Sequence, residues 1–548
     1  MDDLNSDLLL DVIHYLNLQD SSRLATSCRR LYYLIHQFRR LKGPELVTSA
    51  SYDSATRKQR SSKQVVQDAV TQLQQRPNLV LCFNTPRSTL SDQLPNHLPK
   101  DAVVVGVVSG DIQVNSGKGE VVEHQSQASI MCASFPNASL LPFSMNYGPD
   151  LQGNIANFKE QLTSAHTPWK AMIVYAVGDG AEFCESFVNS IQSAFPDMAI
   201  VGGICEEGYV SSTSRNNNTS SMEELNRMTI RQLRTLLRQV GGSEINVVEK
   251  SDLVTLIWEQ QQESSLQVTS LDDAVFGVVL GGDAPVKSMV SRGVTSITHG
   301  VPQPTSPFVV HSVEFLRPED PGYLFRGEHL QPMHMISELK NTETGHVLTA
   351  AECMTSMTQD AEFLGVKRDS HDGFELYMMS PYSQATNTYL ITTDGSQEQE
   401  VSIEGAQIDF FHLSGQACLE DMEKMATQLR EQTQGEQILG AVMFSCNGRG
   451  PSRGRLIPED MADAKRFHKE FPNVPCLGFY AGGEIGPMAL AGNENVFQTG
   501  RAAVQGFTAV FCLFIVPVVE RQRQMLDDCK ENVDRFVLTR LSAPIEST

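Results

Sequence analysis

The stretch that decides the fold is residues 438–487, ILGAVMFSCNGRGPSRGRLIPEDMADAKRFHKEFPNVPCLGFYAGGEIGP. The apolar run at 438–445 predicts a buried strand, and a polar, glycine-rich loop follows at 446–455. A helix is predicted over 459–471 and a second strand over 474–480. A strand, a helix and a further strand in this order are typical of an α/β unit whose neighbouring strands are parallel.

Charged side chains stand just beyond both predicted strands. Arg449 lies in the first loop, and Glu484 lies in the glycine-rich turn after the second strand. Because the carboxyl ends of parallel strands open on one edge of a sheet, we expect the two loops to share a crevice. The candidate ligand or substrate crevice consists of Cys446, Asn447, Gly448, Arg449, Gly450, Gly482, Gly483, Glu484 and Gly486.

Two interpretations of this crevice stay open. Arg449 offers a planar fork to a carboxylate and Glu484 an acceptor to an amino group, which suits an amino-acid-like ligand or a peptide terminus. The alternative is a structural Arg–Glu pair that fixes two tight turns. An enzyme that uses Cys446 as its nucleophile is a third, weaker hypothesis, because no histidine is placed beside the thiol by the sequence.

The alternation of strands and helices continues outward from this stretch. Runs rich in β-branched residues at 102–108 and 275–282 predict strands that are covered on both faces. A single apolar strand is also predicted over 502–516. We therefore predict the α+β class, with a helical N-terminal segment followed by two α/β units with mixed sheets, at 65–315 and 316–520. The two units share the alternation of strands and helices, but their sequences do not align.

Four other segments differ from the α/β units. Residues 1–45 form a helical segment whose apolar side chains outnumber those that some forty residues can bury alone. Residues 46–64 are predicted to be a linker, and residues 521–548 a helix and tail. Residues 222–260, preceded by a Ser- and Asn-rich tract, are predicted to be a small helical module inserted into the first unit.

Composition excludes several classes of protein. The chain has 548 residues, 41% of them hydrophobic, and a net charge of −22, which argues against a dedicated nucleic-acid or anionic-membrane binder. Its 11 cysteines are scattered without metal-ligand spacing, which is typical of reduced thiols in the cytoplasm or nucleus. The acidic start at Met1 does not fit a secretory signal, and the apolar run 507–519 is too short to span a membrane.

Sequence patterns of known enzyme sites are not found. The chain contains no phosphate-binding loop, no zinc-protease helix and no nucleophile elbow, and Pro451 interrupts the glycine spacing of a dinucleotide fingerprint. We accordingly expect no catalytic residue, no metal and no cofactor.

The N-terminal residues carry the first family resemblance. The pattern is found at Leu4, Leu8, Leu9, Ile13, Leu16, Leu18, Asp20, Leu24, Ala25, Cys28, Arg29, Leu31 and Tyr32. It resembles an F-box, with Asn5 where that family usually has proline. The resemblance implies a Skp1-binding surface made of Leu4, Leu8, Leu9, Ile13, Leu16, Leu18, Leu24, Cys28 and Leu31.

The rest of the chain resembles two further families. The segments VVGVVSG, VGGIC, VFGVVLGG, Ser291-Arg-Gly293, FSCNGRG and GFYAGGEIGP resemble the paired N- and C-terminal FIST domains, a module proposed to sense small ligands. The insert at 222–260 resembles a SAP-type module, through RQLRTLL at 231–237 and VEKSDLV at 248–254. Its acidic and basic residues nearly balance, so a protein-binding role or a solvated helix face is favoured over nucleic-acid binding.

The resemblances together imply a non-catalytic substrate adaptor. It would bind Skp1, and through it the subunits of a cullin-RING ligase, and recruit protein substrates through the FIST region for ubiquitination and proteasomal degradation in the cytoplasm and nucleus. The alternative from another class is an intracellular sensor of a small, amino-acid-like molecule.

Overall fold

The structure is a computed structural model, and only part of the chain is described. The described residues are 43–53, 58–115, 126–211, 229, 232–233, 250, 254, 266–296, 308–317, 319–320, 332–357, 361–368, 373–378, 382–384, 387–393, 402–450, 456–488, 490–491, 496–497 and 501–517. The predicted Skp1-binding residues, almost all of the 222–260 insert and the 521–548 tail lie outside them.

The described part contains seven helices and several mixed sheets, and the predicted α+β class with mixed sheets is confirmed to that extent. None of these helices is long and apolar enough to cross a membrane.

The first of three similar units covers residues 45–134. Its elements are β1 (Glu45–Ala50), β2 (Tyr52–Asp53), β3 (Lys58–Gln59), α1 (Ser62–Gln72), β4 (Leu79–Asn84), α2 (Leu90–His97), β5 (Val103–Val108), β6 (Ile112–Asn115) and β7 (Ala128–Ser134). Ser61 begins α1 by accepting a hydrogen bond from the Gln64 amide, while the Gln64 side chain accepts one from the Ser61 amide.

The second unit covers residues 138–282. Its elements are β8 (Ala138–Asn146), α3 (Leu151–Ser164), β9 (Trp169–Val177), α4 (Gly180–Ala194), β10 (Ala199–Ile204), β11 (Glu207–Ser211), β12 (Val268–Leu271) and β13 (Ala274–Gly282). Ser211 pairs with Val268, so the chain that contains the predicted insert leaves and returns at neighbouring points of one hairpin.

The third unit runs from residue 286 to residue 517 and is interrupted by an additional sheet. Its own elements are β14 (Val286–Ser291), α6 (Gly415–Gln432), β24 (Glu436–Cys446), a 3₁₀ turn (Asn447–Arg449), α7 (Ala462–Glu470), β25 (Cys476–Ala481), β26 (Glu484–Pro487), β28 (Ala502–Gln505) and β29 (Ala509–Pro517).

The additional sheet lies mainly between β14 and α6. Its elements are β15 (Val294–Ser296), β16 (Phe308–Leu316), β17 (Met333–Asn341), β18 (Val347–Thr349), α5 (Ala350–Met357), β19 (Phe363–Lys367), β20 (Phe374–Met378), β21 (Tyr382–Gln384), β22 (Asn387–Thr393), β23 (Gln407–Leu413) and, from further along the chain, β27 (Leu490–Ala491).

The three units exchange strands in a closed cycle. The first sheet has the order β1-β7-β4-β5-β11-β12, the second β8-β13-β9-β10-β26-β28 and the third β14-β29-β24-β25-β6. In each sheet two parallel strands are central, and the next strand outward comes from a different unit. The register repeats as well, because the equivalent cross-unit pairs are Gly106↔Tyr209, Gly202↔Ile485 and Gly478↔Gln113.

The three sheets share one hydrophobic core. Phe83, Tyr175 and Phe444 occupy equivalent positions in the central strands, and the Tyr175 and Phe444 rings meet edge to face at 5.9 Å. Helices cover the opposite face of each sheet. Because the central strands are buried on both faces, their sequences read as continuous apolar runs, as in Ala441–Phe444.

The predicted division of the chain needs three corrections. The boundary between 315 and 316 falls inside β16, and the α/β body is three interlocked units rather than two separate domains. The predicted linker 46–64 supplies most of β1, which pairs with β7, and it also contains the start of α1. The single apolar strand predicted over 502–516 is two strands, β28 and β29, because Phe507 adopts a left-handed conformation with φ 62° and turns the chain.

Candidate functional site

The two glycine-rich loops open on the same edge of the third sheet, as the sequence predicts. β24 and β25 are parallel neighbours, and Cys446 at the end of β24 is the register partner of Ala481 at the end of β25. After Cys446 the chain makes a 3₁₀ turn, and after Ala481 it crosses into the second sheet as β26. The site therefore lies at the junction of the second and third sheets.

Arg449 is a fully occupied structural centre. Its Nε donates to Asp463 Oδ2 at 3.0 Å and its second terminal nitrogen donates to Asp463 Oδ1. The guanidinium also donates to the Phe507 carbonyl at 3.2 Å and to the Cys418 carbonyl at 3.5 Å. These hydrogen bonds connect the 3₁₀ turn to α6, α7 and the turn before β29. Arg449 is only 1% exposed, so it does not face solvent.

Electrostatics favour a permanent charge on Arg449. Burial, the largest single effect, disfavours the charged guanidinium, but the charge and hydrogen bonds of Asp463 together with Cys418 and Asp421 outweigh it and raise the pKa of Arg449 above its usual value. Asp463 also accepts a hydrogen bond from the Ser445 hydroxyl at 3.1 Å. The buried pair is thus hydrogen-bonded on both sides, which is the condition under which buried ions are tolerated.

The structural alternative, a pair of Arg449 with Glu484, is therefore wrong about the partner of the arginine. The fork is used by Asp463, an acid in the first turn of α7 that the sequence analysis did not single out. The available signal was an acidic residue at the start of the next helix, but spacing alone does not say which acid reaches a given arginine. Arg449 is consequently not free to hold a ligand carboxylate.

Glu484 is the least satisfied group of the site. It has 0% exposure, and its Oε2 accepts hydrogen bonds from the Thr508 amide at 3.2 Å and the Thr508 hydroxyl at 3.1 Å. The Cys446 thiol acts as a further hydrogen-bond donor to the Glu484 side chain, whereas Oε1 has no partner within strict hydrogen-bonding geometry. Burial raises the pKa of Glu484 to about 8, although the Thr508 hydrogen bonds, Cys446 and Arg449 oppose the shift.

Cys446 lies beside Glu484 at the rim of the site. It is partly exposed, and its sulfur accepts a hydrogen bond from the Gly448 amide at 3.4 Å. Burial, followed by the nearby Glu484 carboxyl, raises the pKa of the Cys446 thiol to about 12. The thiol therefore stays protonated near neutral pH, which argues against its use as a nucleophile.

The glycines of the predicted crevice allow neighbouring side chains to pack closely on the backbone, and two of them bind the backbone of the second sheet where the chain crosses into it. A Cβ at Gly450 would lie 2.7 Å from the Tyr480 ring, and one at Gly448 would lie 2.9 Å from the Phe507 ring. The Gly482 amide donates to the Ile204 carbonyl at 3.0 Å. The remaining positions behave in the same way: Gly483 accepts from the Ile204 amide, Gly486 packs on Val510, and Asn447 accepts from the Gly450 amide.

A second polar contact that the sequence analysis missed connects β14 to α6. Asp421 Oδ2 accepts hydrogen bonds from the Ser291 hydroxyl at 2.8 Å and from the Arg292 amide at 2.6 Å. A Cβ at Gly293 would overlap Cys418. The Ser-Arg-Gly sequence noted above is thus a packing joint beside the Arg449 centre. Within the described ranges no three His, Cys, Asp or Glu side chains are grouped so as to hold a metal ion.

Comparison with known proteins identifies one domain. Residues 352–487 match the model of the FIST C domain, so the match starts in α5 and ends with β26. It includes Arg449, Asp463 and Glu484, whereas Thr508 lies beyond it. The C-terminal part of the predicted FIST resemblance is confirmed by this match.

The similar curated proteins come from mycobacteria. The chain is 40% identical over 76 residues to the uncharacterized protein Mb0898c of Mycobacterium bovis, which is 14% of this chain and 16% of that protein. It is 31% identical over 116 residues to the uncharacterized protein MT0656 of Mycobacterium tuberculosis, which is 21% of this chain and 27% of that protein. The chain therefore spans only a minor part of the length of the relatives it matches.

Proposed function

We propose that the protein is the substrate-recognition adaptor of a Skp1–cullin–F-box ubiquitin ligase. Its N-terminal F-box-like residues would bind Skp1, and its three-unit body would present a protein substrate to the other ligase subunits. The adaptor itself performs no chemistry in this proposal.

The observation that carries the proposal is the fixed joint that follows the F-box-like segment. The Gly43 carbonyl accepts a hydrogen bond from the Gln75 side chain at 3.2 Å. The Glu45 carboxylate accepts from the amides of Gln74 at 3.1 Å and Gln75 at 2.9 Å. From Glu45 onward the chain is paired along the whole of β1. An adaptor works by holding two proteins at a set separation, and these contacts fix the point at which the body begins.

The cysteines suit the proposed cytoplasmic and nuclear location. The nine described cysteines are free thiols, and eight of them are buried. Thiols of this kind persist in the reducing compartments where cullin-RING ligases would act.

The test is capture of ligase subunits by the full chain in cells. A Leu8→Ala/Leu9→Ala variant should lose Skp1 and the cullin while keeping the thermal unfolding transition of wild type. Val347→Ala, which truncates a 37% exposed aliphatic side chain in β18, is the matched control and should keep both partners. Unchanged capture by the double variant would contradict the adaptor function.

The fixed joint has a test of its own. A flexible Gly/Ser linker inserted between residues 42 and 43 should preserve Skp1 capture but reduce ubiquitin transfer to the proteins that co-purify with the chain. Equal transfer with and without the linker would remove the joint as support for the proposal.

A second candidate function is that of a small-molecule sensor. The specific observation in its favour is the buried Oε1 of Glu484, which has no partner within strict hydrogen-bonding geometry. Leaving a buried acceptor without a partner costs about 1–3 kcal/mol, so such a group suits a position that a ligand completes. Thermal stabilisation of the purified chain by a small molecule would support this function.

A further inference from the structure

The loop after β24 contains the only Asn-Gly step of the chain. Asn447 is followed by Gly448, and no other asparagine of the sequence precedes a glycine. Asn447 is exposed, whereas Arg449, two residues further on, is buried. Because glycine has no side chain, its amide nitrogen can approach the side-chain carbonyl of a preceding asparagine without a steric clash. An accessible amide side chain and an unshielded backbone nitrogen thus lie side by side, directly before the Arg449 centre.

The hydrogen bonds around this step hold both reacting groups weakly. The Gly448 amide donates to the Cys446 sulfur at 3.4 Å, and sulfur is a weak acceptor. Among the described residues, none is hydrogen-bonded to the side-chain amide of Asn447. The three-residue 3₁₀ turn is closed by a hydrogen bond from the Gly450 amide to the Asn447 carbonyl at 3.1 Å. Little therefore has to break before the Gly448 nitrogen can turn toward the Asn447 side chain.

Other exposed asparagines lack this arrangement. Asn154 lies inside α3 and precedes Ile155, whose branched side chain hinders the approach of its amide nitrogen. Asn137 precedes Ala138, whose amide donates to the Phe135 carbonyl at 3.2 Å. These two residues serve as internal controls for the step after β24.

We propose that Asn447 is a site of spontaneous deamidation, and that its isoaspartate product displaces Arg449 from its hydrogen-bonded position. The co-reactant is water, and no oxidant or reductant takes part.

The reaction balances in two steps. The Gly448 amide gives its proton to the buffer, and its nitrogen attacks Asn447 Cγ. A new C–N bond closes a succinimide ring, the bond from Cγ to Nδ2 breaks, and ammonia leaves with a proton from the solvent. Water then opens the ring. Cleavage of the bond between the nitrogen and Cγ gives aspartate, and cleavage of the bond between the nitrogen and the main-chain carbonyl gives isoaspartate.

Isoaspartate lengthens the main chain between two fixed points. On one side, the Cys446 amide donates to the Thr508 carbonyl at 3.0 Å and belongs to the ladder of β24. On the other side, Arg449 is fixed by Asp463 and by the Phe507 carbonyl. An additional backbone carbon between these points cannot leave both in place. Because Cys446 belongs to a paired strand, Arg449 is the residue that we expect to move.

Displacement of Arg449 would also free two unfavourable backbone conformations. Phe507 and Met461 have φ values of 62° and 53°, in the left-handed region that side chains disfavour. The Phe507 carbonyl accepts from Arg449, and Met461 lies two residues before Asp463, the partner of Arg449 in its ion pair. Since these contacts offset the cost of both conformations, their loss should loosen the turn before β29 and the start of α7 together.

The test is ageing of the full chain in mildly alkaline buffer, which favours loss of the Gly448 amide proton. Peptide mapping by mass spectrometry follows residue 447, and methylation by an isoaspartate-specific methyltransferase measures the product. We expect Asn447 to lose its amide while Asn137 and Asn154 keep theirs. The melting temperature should fall as isoaspartate accumulates.

A free peptide with the sequence of residues 444–450 supplies the rate of the unconstrained reaction. Retention of Asn447 in the full chain after the peptide has been converted would overturn the proposal. Accumulation of isoaspartate at 447 with an unchanged melting temperature would overturn the displacement of Arg449.

Two variants at the exposed position separate the chemistry from its consequence. Asn447→Gln closes the corresponding ring less readily, so its melting temperature should stay constant during ageing, and an equal fall would place the cause elsewhere. Freshly purified Asn447→Asp carries the new acid without the longer main chain and should melt like unaged wild type. A melting temperature as low as that of aged wild type would make the charge, rather than the chain length, responsible.

Discussion

Replacement of Arg449 by lysine tests whether this residue is structural or binds a partner. The guanidinium makes two hydrogen bonds to Asp463 and one each to the carbonyl groups of Phe507 and Cys418, all in a site where its side chain has no exposure. Lysine keeps the charge but has a single nitrogen, so it cannot span both oxygens of Asp463 and two carbonyl groups. Loss of a partner in a buried ion pair costs about 3–5 kcal/mol, and lysine should recover only part of that.

The assay is urea unfolding of the purified variants at pH 7. We expect Arg449→Lys to lower the free energy of unfolding by about 2–4 kcal/mol. Arg430→Lys is the matched control, because Arg430 also pairs with a carboxylate, that of Glu470 at 2.8 Å, but its side chain is 60% exposed. An exposed pair contributes about 0–1 kcal/mol, so this control should unfold close to wild type.

A wild-type stability for Arg449→Lys would refute the structural reasoning. It would mean that the fork and its two carbonyl contacts contribute nothing to the fold. If Arg449→Lys were as stable as wild type but no longer captured a protein partner, Arg449 would be a binding residue rather than a structural one.

Two further predictions concern Glu484 and a buried glycine. Since the pKa of Glu484 is raised to about 8 in the fold, the neutral carboxyl contributes stability that is fully present below about pH 4.5 and is lost as the pH rises to 8. Over this range, denaturant titrations should show the free energy of unfolding of wild type falling by about 1.4 kcal/mol per pH unit relative to that of Glu484→Gln. Parallel pH profiles of the two proteins would contradict the raised pKa of Glu484. A Cβ at Gly478 would overlap the Met443 carbonyl oxygen, so Gly478→Ala should lower the stability by about 3 kcal/mol or more. Gly153→Ala, in a helix with free space around it, should be neutral or stabilising, and an equal effect of the two substitutions in thermal melts would count against the overlap.

The local structure around the site could be predicted from sequence because its signals are short-range. The apolar run ending at Ser445, the helix before Phe471 and the following strand are each fixed by patterns within a few residues. Their parallel pairing follows from the α/β order alone, and both loops do open on one edge. Boundaries moved by one to three residues, as in α7, which begins at Ala462 rather than at 459.

The hydrogen-bond partners of Arg449 and Glu484 could not be predicted from the sequence. The choice of Asp463 over Glu484 for Arg449 depends on how α7 packs on β24, which no spacing encodes. Thr508 reaches Glu484 only because Phe507 turns the chain between β28 and β29. The Arg449 position therefore looked like half of a ligand site, whereas its geometry makes it a packing centre.

The threefold organisation was hidden for a different reason. The additional sheet at 294–413 separates β14 from the rest of the third unit, and each outward strand pairs with a unit distant in sequence. Equivalent positions hold different side chains, such as Tyr209, Ile485 and Gln113. Only the register of the pairs reveals the relationship, and register across hundreds of residues is not a property of any local pattern.

The cyclic exchange of strands also governs how the chain can be made. The first sheet has all its strands once the ribosome has passed Leu271, but the second needs Gln505 and the third needs Pro517. β6 remains without its native partner until β25 has been synthesised, since Val114 pairs with Leu477. At a synthesis rate of about 5–20 residues per second, that wait lasts roughly 20–70 s. During this time β6 of the nascent chain has no native partner, so translation of this protein exposes an unpaired strand edge to which a chaperone could bind.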